Sequence, residues 1–393
     1  MLGAVTAIGP LSIDMYLPAF PAISDELHVP ATQVQLSLTA CLAGIAAGQL
    51  VCGPLSDRWG RRRPAIAGLA AYALLSFSIA LAAPSAPVLI GLRLLQGLAG
   101  GTGVVVARAI VRDLHSGVAA ARFFSRLTLI YGLAPILAPS LGSAVLRVTS
   151  WHGIFVALGV LAALLTVLLV ARLPETLPPG RRTSGSPATT IRLAGPLFRD
   201  RSFAGYTLAF GLAFAALFAY LANSPFVLQD GYGLSPTVFA LLFGLNAVGL
   251  TLVSQANARL LNHRSPHTLL VAALIAQAGA GAVLVAAALA SSLPGIVSGL
   301  FLLVCTIGMI QPNATALALE GHADRAGTAA AVLGGFQPIV AAALAPLAAL
   351  GPLGPIGTGL PMAILILCCA LSALLAVTLL TRERRATPAS RPG

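Results

Sequence analysis

The chain has 393 residues, of which 58% are hydrophobic and 9% charged, and its formal net charge is +12. Soluble domains carry roughly 25% charged residues, so the mean hydropathy of +0.92 excludes an ordinary water-soluble globular fold. The sequence has no soluble basic patch of the kind that binds nucleic acid. The basic excess therefore favours the cytoplasmic loops of a membrane protein.

Apolar runs of about twenty residues recur along the chain, which is the length that a helix needs to cross a bilayer. Because backbone amides in hydrocarbon need internal partners, each run predicts a transmembrane α-helix. The predicted spans are 2–20, 33–53, 65–83, 87–112, 123–146, 152–172, 203–224, 236–256, 268–290, 294–316, 327–350 and 358–380. We therefore expect an all-α polytopic membrane protein with twelve transmembrane helices.

The longest polar interval, 173–201, separates six spans from six and is rich in Pro, Gly, Ser, Thr and Arg, as linkers are. We predict two pseudo-symmetric six-helix bundles, at 1–172 and 202–381, and a tail at 382–393. If the first span starts inside, the inner loops hold almost all loop arginines and the outer loops hold only Arg147. The positive-inside rule then predicts that both termini are cytoplasmic.

Other function classes find little support in the sequence. The five cysteines lie in or at the ends of apolar runs without C-x-x-C spacing, which favours core packing over a metal or redox site. His263 and His267 have no carboxylate nearby, so we expect no metal and no cofactor. A nucleophile–base constellation, a phosphate loop and a soluble catalytic domain are all missing. The protein is therefore not expected to be an enzyme.

The stretch GPLSDRWGRRRP, from Gly53 to Pro64, places four arginines and one aspartate between the second and third spans. Together with the six-plus-six helices, this loop resembles the major facilitator superfamily over essentially the whole chain. The positions that match the family's loop are Gly53, Leu55, Ser56, Asp57, Arg58, Gly60, Arg61 and Arg62.

A latch between helix ends is the function that we predict for this loop. Asp57 lies beside the amino-terminal end of the next helix, where a carboxylate accepts backbone N–H bonds and faces the positive helix dipole. The arginines can reach Asp113 at the end of the fourth span. The predicted latch residues are Gly53, Asp57, Arg58, Gly60, Arg61, Arg62 and Asp113. The alternative is that the arginines only anchor the topology.

Further motifs are similar to those of proton-coupled drug transporters. Leu89–Gly101 resembles their fourth-span motif through Arg93, Gln96 and Gly97. Tyr131–Val145 resembles the antiporter motif of the fifth span, although Ala138 and Ser143 replace two of its glycines. From that motif we take Gly132, Pro135, Pro139 and Gly142 as helix-packing residues.

Two segments look most like the bicyclomycin/chloramphenicol resistance (Bcr/CflA) subfamily, namely residues 7–23 and 312–319. This resemblance implies a proton-coupled multidrug or antibiotic efflux transporter, a drug:proton antiporter that works by alternating access. Its partners would be protons, a small drug-like molecule and the lipid bilayer. A monomer in the bacterial inner membrane is expected. The same machinery would also serve a runner-up function, export of a natural metabolite such as an amino acid or a sugar.

Asp14 is the only acidic residue well inside the first span, where a carboxylate is costly and by default marks a functional site. The alternative is an interfacial position near the outer surface. Pro18, one turn later, cannot donate to the carbonyl of Asp14, so we expect the helix to loosen there. At a rise of about 1.5 Å per residue, Asp14 and Arg93 reach similar depths. We therefore predict that the two form a proton-coupling pair, the role that the resemblance also implies.

The carboxyl-terminal spans contain no embedded acid, so their polar and aromatic residues are the remaining candidates for substrate contact. For each one alone, an interhelical hydrogen bond is the more frequent role. For Arg108, snorkelling to the cytoplasmic interface is the alternative. The predicted cavity residues are Gln96, Arg108, Tyr206, Tyr220, Asn223, Asn246, Gln311, Asn313 and Gln337. Together they predict an uncharged or weakly polar pocket with aromatic walls.

Overall fold

The computed structural model describes residues 1–83, 85–114, 134, 137–178, 180, 182, 197–320, 326–344, 347 and 359–381. The regular elements within these ranges are all helical. In chain order they are α1 Leu2–Asp14, α2 Phe20–Leu27, α3 Ala31–Trp59, α4 Arg62–Ala82, α5 Ala86–Leu114, α6 Leu137–Leu146, α7 His152–Arg172, α8 Arg201–Pro225, α9 Pro236–Leu260, α10 Pro266–Leu289, α11 Leu293–Glu320, α12 Ala326–Leu344 and α13 Leu360–Leu380.

The lengths and compositions of these helices are those of membrane spans. Ten helical segments within the described ranges are long and apolar enough to cross a membrane, the first of them made of α1 and α2 together. Two more apolar helices, α6 and α12, adjoin residues outside those ranges. Each of the twelve predicted spans overlaps a described helix, so the all-α membrane fold is confirmed.

The helices form two groups that follow the chain. In the first, α3 and α4 both pack against α5, α4 packs against α7, and α1 lies against α5 and α7. In the second, α8 packs against α11, α12 and α13, while α10 lies against α11 and α13 and α9 against α11. We call these groups the N-half and the C-half. The distal end is the end with the turns at 28–30, 147–151, 232–235 and 290–292, and the proximal end is the opposite one.

The tightest packing in the N-half is between α3 and α5, where each helix carries a pair of glycines four residues apart. A Cβ atom on any of the four would overlap a backbone carbonyl oxygen of the facing helix. The glycines are Gly44 and Gly48 on α3 and Gly97 and Gly101 on α5. Small residues at this spacing let two helix backbones touch within a membrane, so α3 and α5 are in direct backbone contact.

The first and seventh spans are both broken near the distal end at a proline. In the first span, α1 ends at Asp14 and a 3-10 turn at Leu17–Ala19 precedes α2. In the seventh, α8 ends at Pro225 and continues as a π-helical segment, Phe226–Gly231. Proline lacks the N–H that continues the helical ladder. As Pro18 predicts, the helix loosens directly after Asp14.

Candidate functional site

Arg93 lies fully buried in the N-half, inside a closed network that joins α1, α4 and α5. Its Nη1 donates to Gln96 Oε1 at 2.6 Å, and its Nη2 donates to the backbone oxygen of Ser12 at 2.8 Å. Gln96 Nε2 donates in turn to Ser76 Oγ at 2.7 Å. Ser12 Oγ and the Tyr72 hydroxyl are 2.7 Å apart, which closes the ring.

Aromatic rings supply the remaining stabilisation of the Arg93 charge. The guanidinium carbon lies 4.7 Å from the ring centroid of Tyr16 and 5.6 Å from that of Phe155. Such contacts gain strength when the cation is desolvated. Within the described residues the guanidinium has no carboxylate partner, and its Nε–H donates to no acceptor.

Asp14 is buried as well, with 5% exposure, but it does not form the predicted ion pair with Arg93 in this structure. The reason is that Ser12 and Asp14 point in different directions around α1. Arg93 binds Ser12, and residues two apart on a helix point about 200° away from each other. The turn that follows Asp14, Leu17–Ala19, packs against α8 and α9 of the C-half. Asp14 therefore lies next to the boundary between the halves.

The predicted latch is centred on Arg61 at the proximal end. Its Nη1 lies 2.5 Å from Asp57 Oδ1, and its Nε lies 2.8 Å from Asp113 Oδ2. The same Nη1 also donates to Ser56 Oγ at 2.8 Å. Arg61 is 5% exposed, so these charge-assisted bonds are largely shielded from water. One arginine thus ties the ends of α3 and α5 together.

Glu175, just beyond α7, is a member of this cluster that sequence reasoning missed. Its carboxylate accepts the backbone N–H groups of Arg61 at 2.8 Å and Arg62 at 3.2 Å, directly after Gly60. Partial burial raises the pKa of Glu175, but the backbone donors of Leu177, Arg61 and Arg62 outweigh it, so the pKa lies below its usual range. Glu175 therefore stays ionised at neutral pH and clips α7 to the start of α4.

Gly60 has φ of +88°, and a Cβ there would overlap the Glu175 carboxylate. The predicted role of Asp57 at the start of α4 is thus taken by Glu175, because Asp57 turns towards Arg61 instead. Arg58 is exposed and forms no ion pair in the part of the chain that the structure describes.

The remaining latch candidates, Arg62 and Gly53, make fewer contacts in this cluster. Arg62 donates from Nη2 to the backbone oxygen of Val170 at 2.8 Å, which also ties α4 to α7. Gly53 has room for a Cβ, with the Val105 side chain 3.8 Å from that position.

Part of the antiporter motif lies in α6. Gly142 packs so closely that a Cβ would overlap the backbone oxygen of Met15, next to Asp14. Pro139 is buried, and Ser143 Oγ lies 3.4 Å from Thr237 Oγ1 of the C-half. Gly132 and Pro135 lie outside the described residues.

The predicted cavity residues do not converge on one pocket. Tyr220 and Asn246 are joined by a hydrogen bond of 3.0 Å and line the same small cavity. The others are dispersed. Gln96 belongs to the Arg93 network, and Tyr206 contacts His267 at 3.2 Å. Asn223 is hydrogen-bonded to Gln35 at 3.1 Å, and Asn313 to Asn257 at 2.7 Å. Gln311 and Gln337 are half-buried, and the Arg108 side chain is not among the described ones.

The cavity has a volume of about 10 Å³ and lies between α8, α9 and α11 in the C-half. Apart from the Tyr220–Asn246 pair its walls are apolar, and the Tyr220 and Phe243 rings stack with centroids 5.7 Å apart. The volume is far smaller than the roughly 300–1,000 Å³ of a complete drug site. The predicted aromatic, uncharged substrate pocket therefore stays a prediction.

The hydrogen bonds between the halves, as far as the structure describes them, are all towards the distal end. Gln35 bonds to Asn223, Gln229 Nε2 donates to the backbone oxygen of Pro18 at 3.3 Å, and both Ser143 and Arg147 contact Thr237. The rings of Phe20 and Phe226, one from each broken span, lie 5.8 Å apart between them. Among the described residues, the polar contacts that join the halves are thus confined to the distal end.

A family model described as the Major Facilitator Superfamily matches residues 2–346. The chain belongs to this superfamily. Membership places it among multi-span membrane transporters, as the six-plus-six helices and the loop at Gly53–Pro64 indicated.

Three bacterial relatives illustrate the likeness. An uncharacterized MFS-type transporter, YdgK of Bacillus subtilis, is 39% identical over 98% of this chain and 95% of its own length. A bicyclomycin resistance protein homolog of Haemophilus influenzae is 30% identical over 97% and 95%. A chloramphenicol resistance protein of Pseudomonas aeruginosa is 32% identical over 84% and 78%.

Solved structures share the fold at low identity. A bacterial homolog of the human lysosomal transporter Spinster superposes with a TM-score of 0.74 at 16% identity, and 96% of each chain is covered. A D-xylose-proton symporter superposes with a TM-score of 0.70 at 15% identity, with 97% of each chain covered.

Proposed function

We propose that this protein is a proton-coupled exporter of antibiotic or drug-like molecules across the bacterial inner membrane, a drug:proton antiporter that works by alternating access. The observation that carries the proposal is Asp14, a buried carboxylate at the break of the first span, directly before a turn that packs against the C-half. The names of two relatives, for bicyclomycin and chloramphenicol resistance, support the choice of antibiotics as substrates.

The cost of a membrane-embedded charge explains how Asp14 serves as the proton site. In a dry environment the ionised carboxylate is the costly form, and a proton removes that cost. Water that reaches Asp14 from the acidic outside protonates the carboxylate, and water that reaches it from the inside accepts the proton. Substrate and proton then compete for the closed state of the protein, and this coupling is what antiport requires.

Arg93 has an indirect part in this scheme. Because it holds the Ser12 carbonyl oxygen and forms no ion pair with Asp14 in the described structure, it fixes α1 against α5. Protonation of Asp14 therefore breaks none of the described bonds of Arg93 and leaves the interior of the N-half intact.

Substrate-induced proton release from purified protein tests this proposal. Asp14→Asn is expected to abolish both proton release and pH-driven export of chloramphenicol or bicyclomycin, since the amide cannot exchange a proton. The matched control is Asp25→Asn, which changes an exposed acid of the same span. Undiminished proton release from Asp14→Asn would place the proton site elsewhere. If neither antibiotic is exported by the unmodified protein, export of a metabolite becomes the better proposal.

A further inference from the structure

Gln35 on α3 contacts Asn223 on α8, and we call these two side chains and the neighbouring hydroxyls of Thr39 and Ser224 the seam. Gln35 and Asn223 are 1% and 0% exposed, and Gln35 Nε2 donates to Asn223 Oδ1 across the two halves at 3.1 Å. Asn223 Nδ2 donates to the backbone oxygen of Ala219 at 2.8 Å. The seam therefore lies in the boundary itself, away from lipid.

Three atoms of the seam have no hydrogen-bond partner among the described residues. They are the acceptor Oε1 of Gln35 and the hydroxyl oxygens of Thr39 and Ser224, and each atom is buried. Native structures leave few buried polar atoms unpaired, because each one carries a desolvation penalty. Three together indicate that the seam meets its partners in another state of the protein.

The helix register places Gln35 and Thr39 on one face of α3, because they are four residues apart. On α8, Asn223 and Ser224 follow Tyr220 by three and four residues, so the three share one side of that helix. Tyr220 lines the cavity of about 10 Å³ between α8, α9 and α11. The seam therefore adjoins this cavity.

We propose that the seam is the hydrogen-bonding subsite for an uncharged substrate that carries amide or hydroxyl groups; this deepens the proposed export function and rests on it. When α3 and α8 separate, Gln35 and Asn223 lose each other and present an amide donor and acceptor on opposite walls. A ligand with its own donor and acceptor replaces their bond, and the hydroxyls of Thr39 and Ser224 pair with its remaining groups.

The chemistry of the seam selects against charged ligands. All four side chains are neutral, and a buried charge without a counter-charge is far costlier than a buried amide with its bonds made. Next to Tyr220, the rings of Phe239 and Phe243 offer an apolar surface for the body of the ligand once the halves separate. The preferred substrate is therefore uncharged, with its hydrogen-bonding groups at one edge.

Ligand binding to the purified protein tests this assignment. The probes are chloramphenicol and bicyclomycin, both uncharged and rich in hydroxyl and amide groups, and tetraphenylphosphonium, a cation without a hydrogen-bond donor. Gln35→Leu is expected to raise the Kd of the two uncharged probes by about 3- to 10-fold, the change that one lost neutral hydrogen bond produces. Thr39→Val, which is nearly isosteric, is expected to act in the same direction if Gln35→Leu does not fold.

Gln277→Leu is the matched control. Gln277 is equally buried and both of its side-chain polar atoms are unpartnered, but it lies on α10, which packs against α11 and α13. This change is expected to leave all three Kd values unaltered. Equal binding of the uncharged probes by unmodified protein, Gln35→Leu and Thr39→Val overturns the proposal, and so does tighter binding of tetraphenylphosphonium than of either uncharged probe.

Binding and export separate this inference from the function on which it rests. If the unmodified protein binds the uncharged probes through the seam but releases no protons and exports neither, the antiport proposal fails alone. If it exports them and the seam variants bind them with unchanged Kd, the subsite fails alone.

Discussion

Arg61 shows how a single residue can join three helix ends. Its guanidinium forms ion pairs with Asp57 on α3 and Asp113 on α5, and its backbone N–H donates to Glu175 after α7. A charge that is 5% exposed is stabilised strongly only when its partners remain in place. Any motion that separates α3, α5 and α7 at the proximal end must break at least one of these bonds.

Arg61→Ala is expected to lower the transport rate by about tenfold or more, because it leaves the carboxylates of Asp57 and Asp113 close together without a counter-charge. A tenfold change corresponds to a free-energy difference of about 1.4 kcal/mol. Arg58→Ala is the control, since Arg58 is exposed and unpaired in the described part of the chain. Initial efflux rates, normalised to the amount of inserted protein, give the comparison. Equal losses in both variants would show that the loop acts through its total charge alone.

Sequence reasoning placed some of these residues well and others poorly, for a physical reason. Composition and rise per residue indicate how deep a residue lies, so Asp14 and Arg93 were expected at one level. The direction of a side chain around its helix depends on tertiary packing, and only the structure shows that Arg93 binds the Ser12 backbone and forms no described ion pair with Asp14. Glu175 was missed because it lies in a segment whose composition is typical of a linker.

Among the helices, α3 and α5 form the closest pair, and their contact is made by backbone rather than by side chains. Gly44 and Gly48 face the carbonyl groups of α5, and Gly97 and Gly101 face those of α3. A pair with so little space between the backbones cannot slide or rotate in small steps. We expect α3 and α5 to move together when the halves rock.

Gly97→Ala is expected to destabilise the folded protein by about 1–3 kcal/mol, since the new methyl group overlaps the Cys41 carbonyl oxygen and forces the helices apart. Gly91→Ala is the matched control on the same helix, because nothing lies within 4 Å of its Cβ position. Thermal unfolding in detergent should show a lower Tm for Gly97→Ala only. A Tm equal to that of Gly91→Ala would mean that α3 and α5 can separate without cost.

The bounds of the helices were predictable from hydropathy to within a few residues at most ends, because the length of the apolar core fixes them. The predicted spans were too short where a helix continues beyond the hydrocarbon with polar residues. The clearest case is α3, which runs to Trp59 although the apolar run ends near Gly53. The π-helical continuation of α8 was not predicted, because Pro225 indicates a break but not the geometry that follows it.

At the scale of the whole molecule, the two halves meet through polar contacts near the distal end, where the broken first and seventh spans face each other. The described contacts come from Gln35, Ser143, Arg147 and Pro18 of the N-half. Alternating access requires this end to open and close. The arginine distribution predicts that it faces outward, so we interpret the structure as closed towards the outside.

Cysteine labelling from outside the cell checks both the orientation and the closure. In a variant whose five native cysteines are replaced by alanine, Val148→Cys is expected to react with a membrane-impermeant maleimide under all conditions, since Val148 is 85% exposed in a distal turn. Ser143→Cys, at a position that is 4% exposed, should react only when a proton gradient and substrate drive the distal end open.

Arg264→Cys, in the exposed proximal turn between α9 and α10, should react only in inside-out vesicles, because the positive-inside rule places that turn in the cytoplasm. The opposite pattern, with Arg264→Cys labelled in intact cells and Val148→Cys protected, would reverse the orientation. Ser143→Cys that reacts equally at rest and during turnover would instead leave the orientation standing and contradict the closed distal end. The three positions thus test topology and conformation independently, with Val148→Cys reporting the side of the membrane and Ser143→Cys the opening of the boundary between the halves.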